Sequence, residues 1–245
     1  MCDTPTETAA GWLGWGDLPD APATIATGPW ADLSHLLSPD MPRVSFFPPP
    51  RFEQIWQMPE RPINVTEMQM VVHVGTHIDA PRHFFEDGPA LDQIPLERLH
   101  GPGVVVAVDK APGQLVTAAD LEAGPPVEPG DIVALHTGWW RKAGSEAYDD
   151  HPSLSEDAAR WLVERRVKLV AVDMPTPDLP VQRRPDGFNW PVHHILLGNG
   201  VLICEHLTGH GHLVDRRAEF VINALNIAGS DGAPARVLAR PIAEV

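Results

Sequence analysis

His73-Val74-Gly75-Thr76-His77-Ile78-Asp79-Ala80-Pro81-Arg82-His83 is the segment on which the reading of this chain turns. It places three histidines and one aspartate within eleven residues, a density that core packing does not call for. His73, His77 and Asp79 offer two neutral nitrogen donors and one anionic oxygen donor. That set can hold a divalent ion and leave positions open for water and substrate. Histidines four residues apart would share a face of a helix, but Gly75, Thr76 and Pro81 oppose a helix here, and the apolar run Met68–Val74 reads as a strand leading in. A straight strand would hold His73 and His77 about 13 Å apart with parallel side chains, too far to share an ion. The backbone is therefore expected to bend at Gly75-Thr76, where a residue without Cβ is useful, and Pro81 stiffens the exit.

Composition bounds what surrounds this segment. A chain of 245 residues, 43% hydrophobic and 21% charged, has a globular composition and can bury a sizeable core. The formal net charge of −15 weighs against nucleic acid and anionic membranes, which need clustered Lys and Arg. The 27 prolines favour short, rigid connections over long helices. Two cysteines, Cys2 and Cys204, do not make a disulfide framework. Residues 1–20 lack the charged and apolar regions of a secretory signal, and no apolar run reaches membrane-spanning length. The expected location is cytoplasmic.

Residues 1–29 read as an amino-terminal arm, with Trp12 and Trp15 suited to docking it, and residues 30–245 as the domain. Phe46 and Phe47, beside Pro48-Pro49-Pro50, cannot enter a regular element, so they cap the core or line a pocket. Residues 84–100 read as a loop with one helical turn. Buried strands are expected at Gly103–Asp109, Asp131–Thr137, Lys168–Asp173 and Val201–Glu205, with further strands at Glu219–Leu225 and, at an edge, Arg236–Ala239. Thr117 should cap a short helix with Asp120 at its third position, and Ser155 a longer one reaching Arg166. Another helix should start near Pro191 and end at Gly198 or Gly200. No repeat or linker divides the chain, so a single strand-rich α/β domain is expected.

A second constellation lies downstream. His193-His194 opens a helix, and Glu205 ends an apolar strand. A carboxylate there either meets a metal or a histidine near one, or faces solvent. His206, His210 and His212 sit in a Gly-rich context that reads as solvated, and Cys204 as a small core residue.

These residues resemble the cyclase family of metal-dependent hydrolases, which includes bacterial kynurenine formamidases and isatin hydrolases. The pattern His-x-Gly-Thr-His-x-Asp-x-Pro-x-His is matched at every fixed position by His73–His83. Softer matches follow in the family's order: Asp32-Leu33-Ser34, Gly130-Asp131, Thr137-Gly138-Trp139, Val172-Asp173 with the loop Met174–Asp178, Val192-His193, Leu196-Leu197-Gly198 and Glu205. The resemblance implies a swivelling β/β/α-type single domain with a mixed, strand-rich core, and a homodimer. It implies a Zn or Mn ion on His73, His77 and Asp79. In relatives with two ions the residues matching His83, His193 and Glu205 complete a second position; in relatives with one, the residue matching His83 moves protons.

The chemistry expected from that likeness is hydrolysis of a cyclic or aryl amide, of the isatin or N-formylkynurenine type, by a metal-bound hydroxide attacking the carbonyl. Imidazoles titrate near neutrality, which suits His83 to general acid–base work, with His193 and Glu205 assisting. Asp173 either orients a ligand histidine or forms a structural ion pair. Phe47, Trp56 and Trp139 are candidates for flat apolar walls around an aromatic substrate. Two other readings use the same residues: a ring-closing dehydratase or lactone hydrolase, and a non-catalytic binding protein stabilised by the metal. A purely structural ion is normally closed by four ligands, often thiolates, which this chain cannot supply.

Overall fold

Val104–Val106, Ile132–Leu135 and Leu169–Val172 are buried at every residue, as strands covered on both faces must be. In the computed structural model, which describes residues 11–19 and 27–243, they form the centre of one mixed sheet. The strands in chain order are β1 (Ala31–Asp32), β2 (Arg51–Trp56), β3 (Val65–Gln69), β4 (His77–Asp79), β5 (His100–Ala107), β6 (Leu115–Val116), β7 (Ile132–His136), β8 (Ser153–Leu154), β9 (Leu169–Val172), β10 (Leu202–Glu205), β11 (Arg217–Ala224) and β12 (Gly232–Pro241). Three helices accompany them: α1 (Ala118–Glu122), α2 (Glu156–Glu164) and α3 (Pro191–Gly198).

Strands β5, β7, β9 and β10 run parallel to one another. Antiparallel pairing joins β11 to β5, β12 to β11, and β4 to both β10 and β12. The order β12-β11-β5-β7-β9-β10-β4 therefore returns to β12 and closes a barrel-like ring, with β1 attached outside it on β12. Closure removes the sheet edges that an open arrangement would expose.

The two-residue period of the strands sorts side chains between two cores. Val104, Val106, Val133, Leu135, Val170, Val172 and Ile203 face α2 and α3. Val105, Ile132, Ala134, Leu169, Ala171, Leu202, Cys204 and Phe220 pack together on the other side. This is the single α/β domain with a mixed, strand-rich core that the sequence leads one to expect. Helix starts follow their local chemistry. The Thr117 side chain accepts from Asp120 N while Asp120 accepts from Thr117 N, and Ser155 accepts from Ala158 N.

Several elements differ from expectation. Arg236–Ala239 is not an edge strand. It lies within the ten-residue β12, which pairs with β11 along Ala235–Pro241 and with β1 at Leu238-Ala239, while its start, Gly232–Pro234, pairs with β4 and closes the ring. The run Met68–Val74 does not continue as a strand: β3 ends at Gln69, and Val74 makes a lone bridge to Arg43. Strands β2 and β3 form a hairpin that pairs with no other described strand, an element with too little apolar alternation to read from sequence. Residues 84–100 contain two 3-10 turns, Leu91–Gln93 and Leu96–Arg98. Part of the expected amino-terminal arm, together with Cys2, lies outside the described residues. Of the described part, Leu13 N donates to Gly198 O (2.9 Å), and Arg98 stacks on Trp15.

Candidate metal centre

The bend expected in the His-rich segment is present. Gly75 adopts φ +62°, a backbone conformation that a residue with a Cβ adopts only with strain. The turn brings the rings of His73 and His77 to a centroid distance of 5.2 Å, where a straight strand would hold them far apart.

Strand pairing then adds the distant residues. On β4, Asp79 lies opposite Ile203, Ile78 opposite Cys204, and His77 opposite Glu205. Alternation sends Ile78 and Cys204 into the core and leaves His77, Asp79 and Glu205 together on the other face. Helix α3 brings in His193. All four of these side chains are buried.

Hydrogen bonds fix which nitrogen each imidazole presents. His77 Nδ1 donates to Gly75 O (2.8 Å), and His193 Nδ1 donates to Asp178 Oδ2 (2.6 Å). Both rings therefore offer the Nε2 lone pair. His77 Nε2 stands 3.3 Å from Asp79 Oδ1 and 3.3 Å from Glu205 Oε2. His193 Nε2 stands 3.5 Å from Asp79 Oδ2 and 3.4 Å from Glu205 Oε1. His77 Nε2 and Asp79 Oδ2 are buried with no hydrogen-bond partner. Two lone-pair nitrogens and two carboxylates face one another with unmet capacity, so the donor set fits a divalent cation. Ligands bonded at ~2.1 Å to a tetrahedral ion stand ~3.4 Å apart, in keeping with these separations.

Without an ion, protons compensate the same charges. Burial pulls the His77 pKa down, but Asp79 and Glu205 outweigh it and raise it to about 10. His193 is likewise driven up by Asp178, Asp79 and Glu205 against burial. Burial and the Asp79 charge push Glu205 up, while His193 and His77 overcome both and hold it at about 2.

His73 and His83 are arranged differently. His73 places Nδ1 2.7 Å from Asp79 Oδ1 and Nε2 2.8 Å from Asp231 Oδ2, so it can bind an ion only by giving up one carboxylate. His83 stacks on His73 at 3.9 Å, with Nδ1 3.3 Å from Asp231 Oδ2. The trio His83, His193 and Glu205 does not come together as one ligand cluster among the described residues. Two sets sharing Asp79 do so: His73–His77–Asp79 and Asp79–His193–Glu205. His83 groups instead with His73 and Asp231.

A cavity of about 240 Å³ opens on these groups, lined among others by Phe46, Phe47, Phe84, Arg184, Trp190, His83, His193 and Glu205. Phe47 lines it; Trp56 and Trp139 do not. Trp56 lies on the β2–β3 hairpin beside Arg61. Trp139 is turned into the core, its Nε1 donating to Tyr148 O (2.9 Å). Asp173 does not orient a ligand histidine. It accepts from Thr137 N, Thr137 Oγ1 and Gly138 N, bracing the turn after β7. Asp178, five residues on, holds His193 instead. His206 and His210, expected in solvent, are fully buried, with His206 Nδ1 2.8 Å from Tyr148 Oη and His210 Nε2 donating to Leu135 O at 3.1 Å. The reading from sequence also omitted Asp231, Arg184, Phe84 and Trp190. Asp231, in the turn Gly229-Ser230-Asp231-Gly232 that opens β12, carried a signal: an Asp-Gly pair before an apolar strand.

The closed mixed sheet, with a buried imidazole–carboxylate cluster at the mouth of an aromatic cavity, defines an α/β class whose donor set fits a divalent cation. The model of the Cyclase family matches residues 31–179. The kynurenine formamidase of Bacillus mycoides is 31% identical over 219 residues, spanning 89% of this chain and all of that one. Isatin hydrolase A from Labrenzia aggregata, solved with benzyl benzoate, superposes with TM-score 0.79 at 25% identity over 88% of this chain and 94% of that one. A potential metal-dependent hydrolase with cyclase activity gives 0.72 at 28% identity, covering 86% and 96%. The chain belongs to the Cyclase family.

Proposed function

We propose that this protein is a metal-dependent hydrolase that opens a cyclic or aryl amide, of the isatin or N-formylkynurenine type, with Zn or Mn as its ion. The observation that carries this reading is the pair of Nε2 lone pairs, on His77 and His193, facing Asp79 and Glu205 at 3.3–3.5 Å beneath an aromatic cavity. The formamidase and hydrolase relatives support the reaction class. The two ligand sets that share Asp79 support one or two ions, with His73 joining when one of its carboxylate bonds is released.

A bound divalent ion would lower the pKa of water toward neutrality and stabilise the oxyanion that develops on the carbonyl. The chain's residues supply the rest. Asp178 and the Gly75 carbonyl hold the two imidazoles in the tautomer that leaves Nε2 free. Asp231 orients His83 through Nδ1, and the other ring nitrogen is available to take a proton from water and return it to the leaving nitrogen. Phe47, Phe84 and Trp190 provide apolar walls that exclude water and stack an aromatic ring.

The hairpin supports a homodimer. It exposes Ile55, Trp56, Met58, Ile63 and Met68, which a second copy would cover. No described helix is long and apolar enough to cross a membrane, and Cys204 is a buried free thiol, which suits the reducing cytoplasm. The experiment that tests the function is a turnover screen of isatin, N-formylkynurenine and simple lactones, with Zn and Mn supplied in turn. Amide hydrolysis that depends on added ion supports the reading. Turnover confined to lactones, or none, contradicts it.

A further inference from the structure

Arg183 and Arg184 are adjacent in sequence and oppositely used. Arg183 is exposed and makes a two-point contact with Asp150, at 2.6 and 2.9 Å. Arg184 is half-buried and lines the cavity that holds His193 and Glu205. Its Nε donates to Leu179 O (2.9 Å), and its guanidinium carbon lies 5.2 Å from the ring centroids of both Phe188 and Trp190. One backbone bond and two aromatic faces fix the plane of the group. Among the described residues its two Nη groups have no hydrogen-bond partner, and no carboxylate lies within 4.0 Å of it. A guanidinium held in place, partly desolvated and unpaired favours a carboxylate, which it can take through two parallel hydrogen bonds.

We propose that Arg184 determines specificity by binding the carboxylate of an aromatic amide whose ring stacks along Phe84 and Trp190. The reacting end rests on the hydrolase reading above; the carboxylate site does not. Trp190 connects the two ends: it both stacks on Arg184 and immediately precedes helix α3, which carries His193. In this proposal the carboxylate is carried on a side chain of the ring, apart from the acyl group that meets His193 and Glu205. The reaction leaves that carboxylate unchanged. The acyl C–N bond breaks, water's oxygen joins the acyl carbon, and a proton goes to nitrogen.

The test compares 4-phenylbutyrate with its neutral isostere 4-phenylbutyramide, by calorimetry on Zn-loaded wild-type protein, Arg184→Gln and Arg184→Lys. The wild type should bind the carboxylate at least tenfold more tightly than the amide, Arg184→Gln should lose that preference, and Arg184→Lys should regain part of it. A wild type without the preference, or an Arg184→Gln variant that keeps it because the ion takes the carboxylate, overturns the proposal. In parallel, a formanilide bearing a propionate side chain should show a KM at least tenfold higher in Arg184→Gln with kcat little changed, and neutral formanilide a KM within twofold of wild type. An Arg184-dependent preference without turnover of either amide defeats the hydrolase reading alone. Turnover of both amides with no effect of Arg184 defeats the specificity proposal alone.

Discussion

Two of the histidine–carboxylate clusters in this fold have opposite chemistry. In one, His77 and His193 face Asp79 and Glu205. In the other, His136 and His210 lie beside Asp173. The first cluster has its lone pairs aimed at a common centre and its Nδ1 hydrogens tied to fixed acceptors. In the second, His136 Nδ1 and His210 Nδ1 are also without partners, but the carboxylate is saturated by Thr137 and Gly138 and His210 Nε2 is spent on Leu135 O. The histidine pKa shifts follow. Carboxylates outweigh burial and raise His77 and His193; burial dominates and lowers His136, and lowers His210 to about 4. Ligand-type residues in proximity therefore do not make an ion site. Unspent imidazole nitrogens that face carboxylates with unmet capacity fit one.

The largest effect should come from His77→Ala. It removes an Nε2 donor from the centre, so hydrolysis should fall by about 1,000-fold or more, together with loss of bound ion, while the fold survives. Metal analysis beside circular dichroism checks this, and full metal content in the variant would break the contrast. Asp178→Asn keeps the shape but loses the charged acceptor of His193 Nδ1. Metal affinity should drop about 10- to 100-fold in a competition titration. An unchanged affinity would show that His193 needs no orienting carboxylate.

Asp173→Ala should do the reverse. Thr137 N and Gly138 N lose their acceptor, at a cost of about 1–3 kcal/mol in denaturant unfolding, while metal affinity stays put. Weakened binding in this variant would mean that the second cluster participates after all. The smallest effect is in pH dependence. His210 has a folded pKa near 4 against about 6.5 unfolded, so the unfolded chain takes up its proton first as pH falls. Its contribution is complete above about pH 6.5 and is lost on acidification toward pH 4. In a His77→Ala background, where ion loss does not intervene, His210→Gln should flatten stability across that window; an unaltered profile would place the acid lability elsewhere.

What could be read from sequence divides along local and long-range lines. The Gly75 bend, the Thr117 capping box and the Ser155 cap depend on neighbours within a few residues, and each is written in the local string. Apart from the family likeness, Glu205 is visible in the sequence as a carboxylate out of place in an apolar strand. Its position opposite His77 comes from β4–β10 register, which no local pattern encodes. Closure of the ring through β12 and β4 is non-local in the same way, and this hid Asp231, whose role depends on that strand's start lying beside His73. Trp56 and Trp139 were attractive as aromatic walls for their residue type alone. Which aromatic faces the cavity is decided by tertiary placement, and Phe84 and Trp190 hold that place.

The most direct measurement is an anomalous-difference map from crystals grown with Zn or Mn. The account predicts a peak bonded to His77 Nε2 and Asp79, with His193 Nε2 and Glu205 around it or around a second peak sharing Asp79. A peak among His136, Asp173 and His210, or none at either cluster in metal-replete crystals, would contradict it.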